Sequence, residues 1–309
     1  MELKELLVIS GKGGTGKTSL VGAFAVLADN KVLADCDVDA ADLHLVLGPK
    51  IRETKEFYGS KKAVLDRERC DGCGVCVNVC RFGAISIDNS RRSNMAGATI
   101  RIDPLSCEGC AVCFHACPQG AITMADNLSG HWFISDTEYG PLVHAKLGVA
   151  EENSGKLVTQ VRREARSIAE ERGLDYIITD GPPGIGCPVI SSISGVDLAL
   201  IVTEPTVAGS HDMERILQLA RHFDVNAAVC INKYDLDETK AEEIERYCRD
   251  NGIRVIGKIP FDEEVVSALA KGMPVVTPLG TADRSADRKE GKASAAIRRI
   301  WTEVLSCLK

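Results

Sequence analysis

Short runs of apolar residues alternate along most of the chain with longer stretches whose apolar positions recur at helical spacing, the rhythm that a parallel sheet flanked by helices requires. The apolar runs predict strands at Leu6 to Ser10, Val32 to Asp35, Tyr176 to Asp180, Leu198 to Thr203, Ala227 to Asn232 and Val255 to Ile259. The periodic stretches predict helices over Lys17 to Ala28, Lys156 to Arg172, Ser210 to His222, Glu238 to Asn251, Glu263 to Lys271 and Ala293 to Leu308. The fold class that follows is α/β, a doubly wound and mostly parallel sheet. The last helix carries Ile297, Ile300, Trp301, Val304, Leu305 and Leu308 on one face with Arg298 and Arg299 opposite, which predicts docking onto the sheet ahead of lying on a membrane.

Between the second and third strands lie about 140 residues, far more than an ordinary crossover needs. Inside them the chain repeats itself at an offset of 37 residues. Leu65-Asp66 answers to Ile102-Asp103, Cys70 to Cys107, Gly72-Cys73 to Gly109-Cys110, Val75-Cys76 to Val112-Cys113 and Cys80 to Cys117, and Gly83-Ala84-Ile85 to Gly120-Ala121-Ile122. Such a repeat predicts a small pseudo-symmetric α+β insert over residues 61–127, dividing a host domain into residues 1–60 and 128–309. Neither half is large enough to bury a core alone, so bound metal is expected to stabilise it.

With 309 residues, 45% of them hydrophobic, the chain can fill one large core and one small one. Its 37 basic and 44 acidic residues leave a net charge of −7, which gives no broad basic field for a phosphate backbone and predicts no nucleic-acid partner. Met1-Glu2-Leu3-Lys4 runs straight into Leu6-Leu7-Val8-Ile9 and then glycines, too short for a signal sequence, and no apolar run reaches spanning length. A cytoplasmic protein is expected, so its 13 cysteines point to metal ligation and not to disulfides.

Gly11-Lys12-Gly13-Gly14-Thr15-Gly16-Lys17-Thr18 fits the G-x-x-x-x-G-K-[ST] pattern and lies between a predicted strand and a predicted helix. Glycines let backbone N–H groups curl around phosphates, and the helix N-terminus adds partial positive charge. Lys17 is expected to reach the β and γ phosphates and the Thr18 hydroxyl to ligate magnesium. The second lysine, Lys12, makes the loop resemble the deviant Walker A motif of the MinD, ParA, Mrp and nitrogenase iron protein superfamily.

That resemblance implies a homodimer closed across the nucleotide, with Lys12 reaching the partner's nucleotide in trans. It extends to Ala34-Asp35-Cys36-Asp37, similar to the family's first switch, where Asp37 orients or deprotonates the attacking water and Asp35 supports it. Asp180-Gly181-Pro182-Pro183-Gly184 looks like the second switch, with Asp180 holding magnesium through water and the Gly184 N–H sensing the γ phosphate. Asn232-Lys233-Tyr234-Asp235 read alone matches the guanine-recognising N-K-x-D pattern. In the superfamily an asparagine at this point contacts adenine, and Ile259-Pro260-Phe261 resembles the segment covering its other face, so ATP is favoured and GTP stays open.

Cys70-x2-Cys73-x2-Cys76-x3-Cys80 and Cys107-x2-Cys110-x2-Cys113-x3-Cys117-Pro118 each match the bacterial ferredoxin run. Three thiolates on one tight loop wrap three irons of a cube and the fourth comes from the other half of the repeat. One [4Fe-4S] cluster is therefore assigned to Cys70, Cys73, Cys76 and Cys117, the other to Cys107, Cys110, Cys113 and Cys80. Structural zinc is less favoured, since it wants cysteine pairs on a longer arm. Arg81 stands where the ferredoxin pattern has proline, either facing solvent or raising a cluster's potential.

Several residues read as structural. Cys187 lies seven residues after Asp180, at the offset of a cluster-ligating cysteine in the nitrogenase iron protein, yet a structural thiol is favoured. Cys36, Cys230, Cys248 and Cys307 read as core or surface thiols, and His144 as a satisfied structural histidine. Nor does the terminal Cys-x-x-Cys of many Mrp-type carriers occur. Together the motifs resemble MinD-superfamily P-loop ATPases with an inserted ferredoxin domain. Nucleotide-driven dimer switching that gates electron transfer to a redox partner is the first expectation. A cofactor-assembly or carrier ATPase that hands metal to an acceptor protein is one alternative, and a MinD- or ParA-like positioning ATPase with structural or sensory clusters is the other.

Overall fold

The structure, a computed structural model, describes residues 2–87, 99–148, 151, 154–276 and 291–309. The chain divides into two compact units, one of Met1–Lys55, Trp132–Lys146 and Ser154–Lys309, the other of Glu56–His131 and Leu147–Asn153. Chain order begins β1 (Lys4–Ser10), α1 (Lys17–Leu27), β2 (Lys31–Asp35), α2 (Leu43–Leu47) and β3 (Lys50–Leu65). It continues α3 (Val75–Val79), β4 (Ile85–Ile87), β5 (Ile100–Ile102), α4 (Val112–Ala116), β6 (Ile122–Thr137), β7 (Gly140–Leu147) and α5 (Ser154–Arg172). Then come β8 (Tyr176–Pro183), α6 (Cys187–Ile193), β9 (Leu198–Thr203), α7 (Val207–His222) and β10 (Ala227–Asn232). The chain closes with α8 (Glu238–Asp250), β11 (Arg254–Ile259), α9 (Glu263–Ala270) and α10 (Lys292–Cys307).

The main sheet has the order β11-β10-β9-β1-β8-β2-β7-β6-β3. β1 pairs in parallel with β8 and β9, β2 with β8 and β7, and β10 with β9 and β11, so the six strands predicted from apolar runs lie side by side in an α/β fold. Leu6, Leu7, Val8 and Ile9 are all fully buried, as a strand covered on both faces must be. Leu6 and Val8 join Phe24, Ile178 and Trp301 in one core, and Leu7 and Ile9 join Val189, Met213, Ile216 and Ile244 in another. On α10, Ile297, Ile300, Trp301 and Val304 are buried and the Trp301 ring lies 5.0 Å from Phe24, so its apolar face docks on the sheet.

β7, β6 and β3 add to that sheet where the sequence predicts no strand. The first seven residues of β3, from Lys50 to Glu56, are all exposed, so no apolar alternation marks them. β3 ends the strand order, and edge strands commonly carry such charge.

The smaller unit carries the repeat into its geometry. α3 and α4 occupy equivalent positions 37 residues apart, each entered through a left-handed residue, Gly74 (φ 77°) and Ala111 (φ 62°). The two halves exchange matching bonds: the Asp66 N–H donates to Ala121 C=O at 2.7 Å, and the Asp103 N–H donates to Ala84 C=O at 2.7 Å. β4 and β5 pair antiparallel, with Ile85 opposite Ile102. A small apolar cluster of Ala63, Ala84, Ile85, Ile100 and Ile122 includes the buried thiols Cys76, Cys107 and Cys113.

Candidate functional site

Parallel strands put the loops after β9, β1, β8 and β2 beside one another at one edge of the sheet, the position where α/β folds bind ligands. The β1–α1 loop is braced by the Ser10 hydroxyl, which donates to Lys12 C=O at 2.9 Å, and by Asn232 Nδ2, which donates to Thr15 C=O at 2.7 Å. Gly16 turns the chain into α1 at φ 89°, and a Cβ there would lie 2.4 Å from Asn232 Nδ2, so only glycine fits. A cavity of about 440 Å³ is lined by residues 13–18, Asp37 and Pro183, with Leu45, Val46 and Leu269 as its apolar wall.

Charge in this site is concentrated and buried. Lys17 Nζ lies 2.9 Å from Asp180 Oδ1 and 3.4 Å from Asp37 Oδ2, with side-chain exposures of 6%, 1% and 14%. Burial works against the Lys17 ammonium, but Asp180 and Asp37 outweigh it and hold its pKa above the usual lysine value. Burial and the Asp180 charge hold Asp35 well above the usual carboxylate range, against the pull of Lys17. Asp37 is raised as well, by burial first, opposed by Lys17 and reinforced by Asp180. Three carboxylates around one ammonium leave a local excess of negative charge, and Asp180 Oδ2 is buried with no hydrogen-bond partner among the described residues. Such a donor set fits a divalent cation bound by oxygen.

Asp35 supports its neighbours through both oxygens, Oδ1 accepting from the Asp37 N–H at 3.1 Å and Oδ2 from the Leu43 N–H at 3.2 Å. The Cys36 N–H donates to Asp180 C=O at 2.8 Å, tying the start of the loop after β2 to β8. Gly184 does not offer its N–H to the cavity: it donates to Ser10 C=O at 3.0 Å, so a phosphate contact there requires that bond to open.

Lys12 and Lys233 lie outside the cavity lining and share one carboxylate. Glu204 Oε2 is 3.0 Å from Lys12 Nζ and Oε1 is 2.7 Å from Lys233 Nζ. No motif marks Glu204, which sits after β9 and meets the phosphate loop because β9 pairs with β1. Pro260 is half-buried after β11, in a loop where the Phe261 N–H donates to Asp235 Oδ1 at 2.7 Å.

In the smaller unit all eight motif cysteines are free thiols gathered around two cavities. One is lined by Cys70, Cys73, Cys76 and Cys117; the other by Cys107, Cys110, Cys113 and Cys80. The Ala121 N–H donates to Cys117 Sγ at 3.3 Å and the Ala63 N–H to Cys107 Sγ at 3.5 Å. Among the described residues no three His, Cys, Asp or Glu side chains converge as a ligand set for one metal ion. A four-iron cube asks for a different arrangement, in which each thiolate bonds its own iron and four sulfurs ring a space. The residues present fit that demand.

The remaining candidates are placed elsewhere. His144 is buried with Nε2 2.9 Å from Ser135 Oγ, between the Phe133 ring at 5.0 Å and the His44 ring at 6.1 Å, and burial pushes its pKa down to about 4. Cys187 is exposed at the start of α6, Cys36, Cys230 and Cys248 are buried, and Arg81 is exposed.

Comparison with known proteins agrees with the nucleotide half of this picture. The family model for the CobQ/CobB/MinD/ParA nucleotide binding domain matches residues 6–275. The chain is 33% identical to the uncharacterized protein MJ0578 of Methanocaldococcus jannaschii over 271 residues, 87% of this chain and 88% of that one. It is 22% identical to the septum site-determining protein MinD of Bacillus subtilis over 97% of this chain and 88% of the relative. Its fold is similar to that of the MinD protein of Pyrococcus horikoshii solved in complex with Mg-ADP, at a TM-score of 0.54 and 15% identity, covering 98% of this chain and 96% of that one.

Proposed function

The chain belongs to the CobQ/CobB/MinD/ParA nucleotide-binding family, and from that premise we propose that it is an ATP-hydrolysing switch whose two copies close around the nucleotide. The observation that carries this reading is the Lys17 ammonium held by Asp180 and Asp37 beside a cavity of about 440 Å³. A magnesium ion held by Thr18 and, through water, by Asp180 would offset the surplus carboxylate charge and free Lys17 for the β and γ phosphates. Asp37 lines the same cavity, and its raised pKa makes it a stronger base toward an attacking water. The relative solved with Mg-ADP supports the same pair of ligands. Lys12 acts in trans on the partner's nucleotide, Gly184 senses the γ phosphate after leaving Ser10, and Asn232, Lys233 and Pro260 form the base side, with ATP favoured over GTP.

We further assign residues 61–127 as a ferredoxin-like unit, Cys70, Cys73, Cys76 and Cys117 holding one [4Fe-4S] cluster and Cys107, Cys110, Cys113 and Cys80 the other. Bound clusters supply one-electron transfer. The relatives named for septum-site determination support a MinD-like switch with sensory or structural clusters better than they support electron gating. Electron gating toward a redox partner is kept as the second reading because two four-thiol cavities, not one, are built into the chain. Among the described residues no helix is long and apolar enough to cross a membrane, and we place the protein in the cytoplasm. Phosphate release from ATP and GTP by the anaerobically prepared protein tests the switch: ATP turnover abolished in Lys17→Ala is expected, and turnover surviving that change refutes it.

A further inference from the structure

Glu204 is a part-buried carboxylate that no nucleotide motif includes, yet it touches two lysines at the phosphate loop. Its side chain is 12% exposed, with Oε2 3.0 Å from Lys12 Nζ and Oε1 2.7 Å from Lys233 Nζ. Burial alone would raise its pKa, but hydrogen bonds from Lys233 and Lys12 prevail and hold it below the usual carboxylate value. Lys233 is anchored a second time, donating to Gly14 C=O at 3.5 Å, whereas the Lys12 side chain is 40% exposed.

We propose that Glu204 is the positioning residue for Lys12, holding the signature lysine on its own chain until a second copy presents a triphosphate. This rests on the trans-lysine reading above. Two ammonium groups on one carboxylate leave a surplus of one positive charge, so Lys12 can depart without leaving the carboxylate unpaired: Glu204 keeps Lys233 as its partner. A part-exposed ion pair is weak enough for that exchange to be cheap. The incoming triphosphate carries more negative charge than the half-share of a carboxylate that Lys12 gives up, so exchange runs toward the dimer. The latch makes Lys12 unavailable in monomers and keeps the free lysine from folding onto its own chain's nucleotide.

The test is Glu204→Gln in the full-length protein, read in two ways. Without nucleotide, acylation of Lys12 by an amine-directed reagent, followed by peptide mass spectrometry, is expected to run faster than in wild type. With magnesium and a non-hydrolysed ATP analogue, the dimer dissociation constant is expected to fall. A half-exposed ion pair is worth about two- to five-fold, so releasing one latch on each copy lowers it about four- to twenty-five-fold. Unaltered Lys12 labelling, or a dimer that forms no more readily, overturns the latch. Lys12→Ala, assayed alongside, separates the two ideas: if it keeps full turnover, the trans-lysine reading fails whatever Glu204 does. Should the glutamine variant not fold, Glu204→Asp keeps a charge for Lys233 with one methylene less reach toward Lys12 and serves the same two assays.

Discussion

Replacing Lys17 with methionine keeps most of the buried stem and deletes the charge that faces Asp180 at 2.9 Å and Asp37 at 3.4 Å. With Lys17 and Asp180 exposed by only 6% and 1%, water does little to replace the lost partner. Breaking a buried pair by removing one member costs about 3–5 kcal/mol, or a fall of about 6–20 °C in Tm at 2–4 °C per kcal/mol. The same charges fix a pH dependence. Burial and Asp180 already raise Asp35 well above the usual carboxylate value, and without Lys17 the chief opposing charge is gone. A carboxyl whose folded pKa exceeds its unfolded pKa destabilises fully above the folded value, and the penalty fades as pH falls toward the unfolded one. Within that window each pH unit returns about 1.4 kcal/mol per carboxyl protonated. Thermal unfolding of wild type and Lys17→Met, both free of nucleotide and metal, from pH 8 down to pH 5 reads the effect directly. The cysteine unit is identical in both, so its contribution cancels in the difference. A gap in Tm that narrows toward acid is expected; a gap that stays constant or widens refutes the buried-charge argument.

Lys12→Ala is expected to bind nucleotide with wild-type affinity and to lose about 10³- to 10⁵-fold in phosphate release, the range for a catalytic cation supplied in trans; unaltered turnover contradicts that role. Gly109→Ala places a Cβ 2.1 Å from Lys61 C=O at φ +65°, so the loop through Cys107 and Cys110 must shift. Anaerobic iron analysis of that variant is expected to give about half the wild-type content, with one cavity spared, and full loading would show that the loop tolerates the change.

The host sheet was legible because parallel strands buried on both faces spell themselves out as runs such as Leu6-Leu7-Val8-Ile9, and because helical spacing reported α5, α7, α8 and α10 to within a few residues. β3 was not: its first seven residues, Lys50 to Glu56, are all exposed, so no buried position recurs there to mark a strand. β7 hid behind Pro141, a residue that argues against a strand, although Leu142, Val143 and Ala145 are buried. In the site, Lys17, Thr18, Asp37 and Asp180 announce themselves by motif and by strand ends. Glu204 and the Ser10–Gly184 bond arise only when β9 and β8 lie beside β1, a register that pairs Leu6 with Leu198 and Val8 with Asp180. The reciprocal Asp66–Ala121 and Asp103–Ala84 bonds join the two halves of the repeat, a pairing that the repeat suggests but no local run of residues specifies.

A nucleotide switch and two iron clusters are proposed to belong to one particle. Anaerobic size-exclusion chromatography with light scattering and iron detection on the same peak, run with Mg-ADP and with a non-hydrolysed ATP analogue, measures both at once. A mass of one 33.2 kDa chain with ADP, twice that mass with the ATP analogue, and about eight irons per chain in each peak are predicted. A particle that keeps one mass in both nucleotides, or that elutes with four or fewer irons per fully loaded chain, contradicts it.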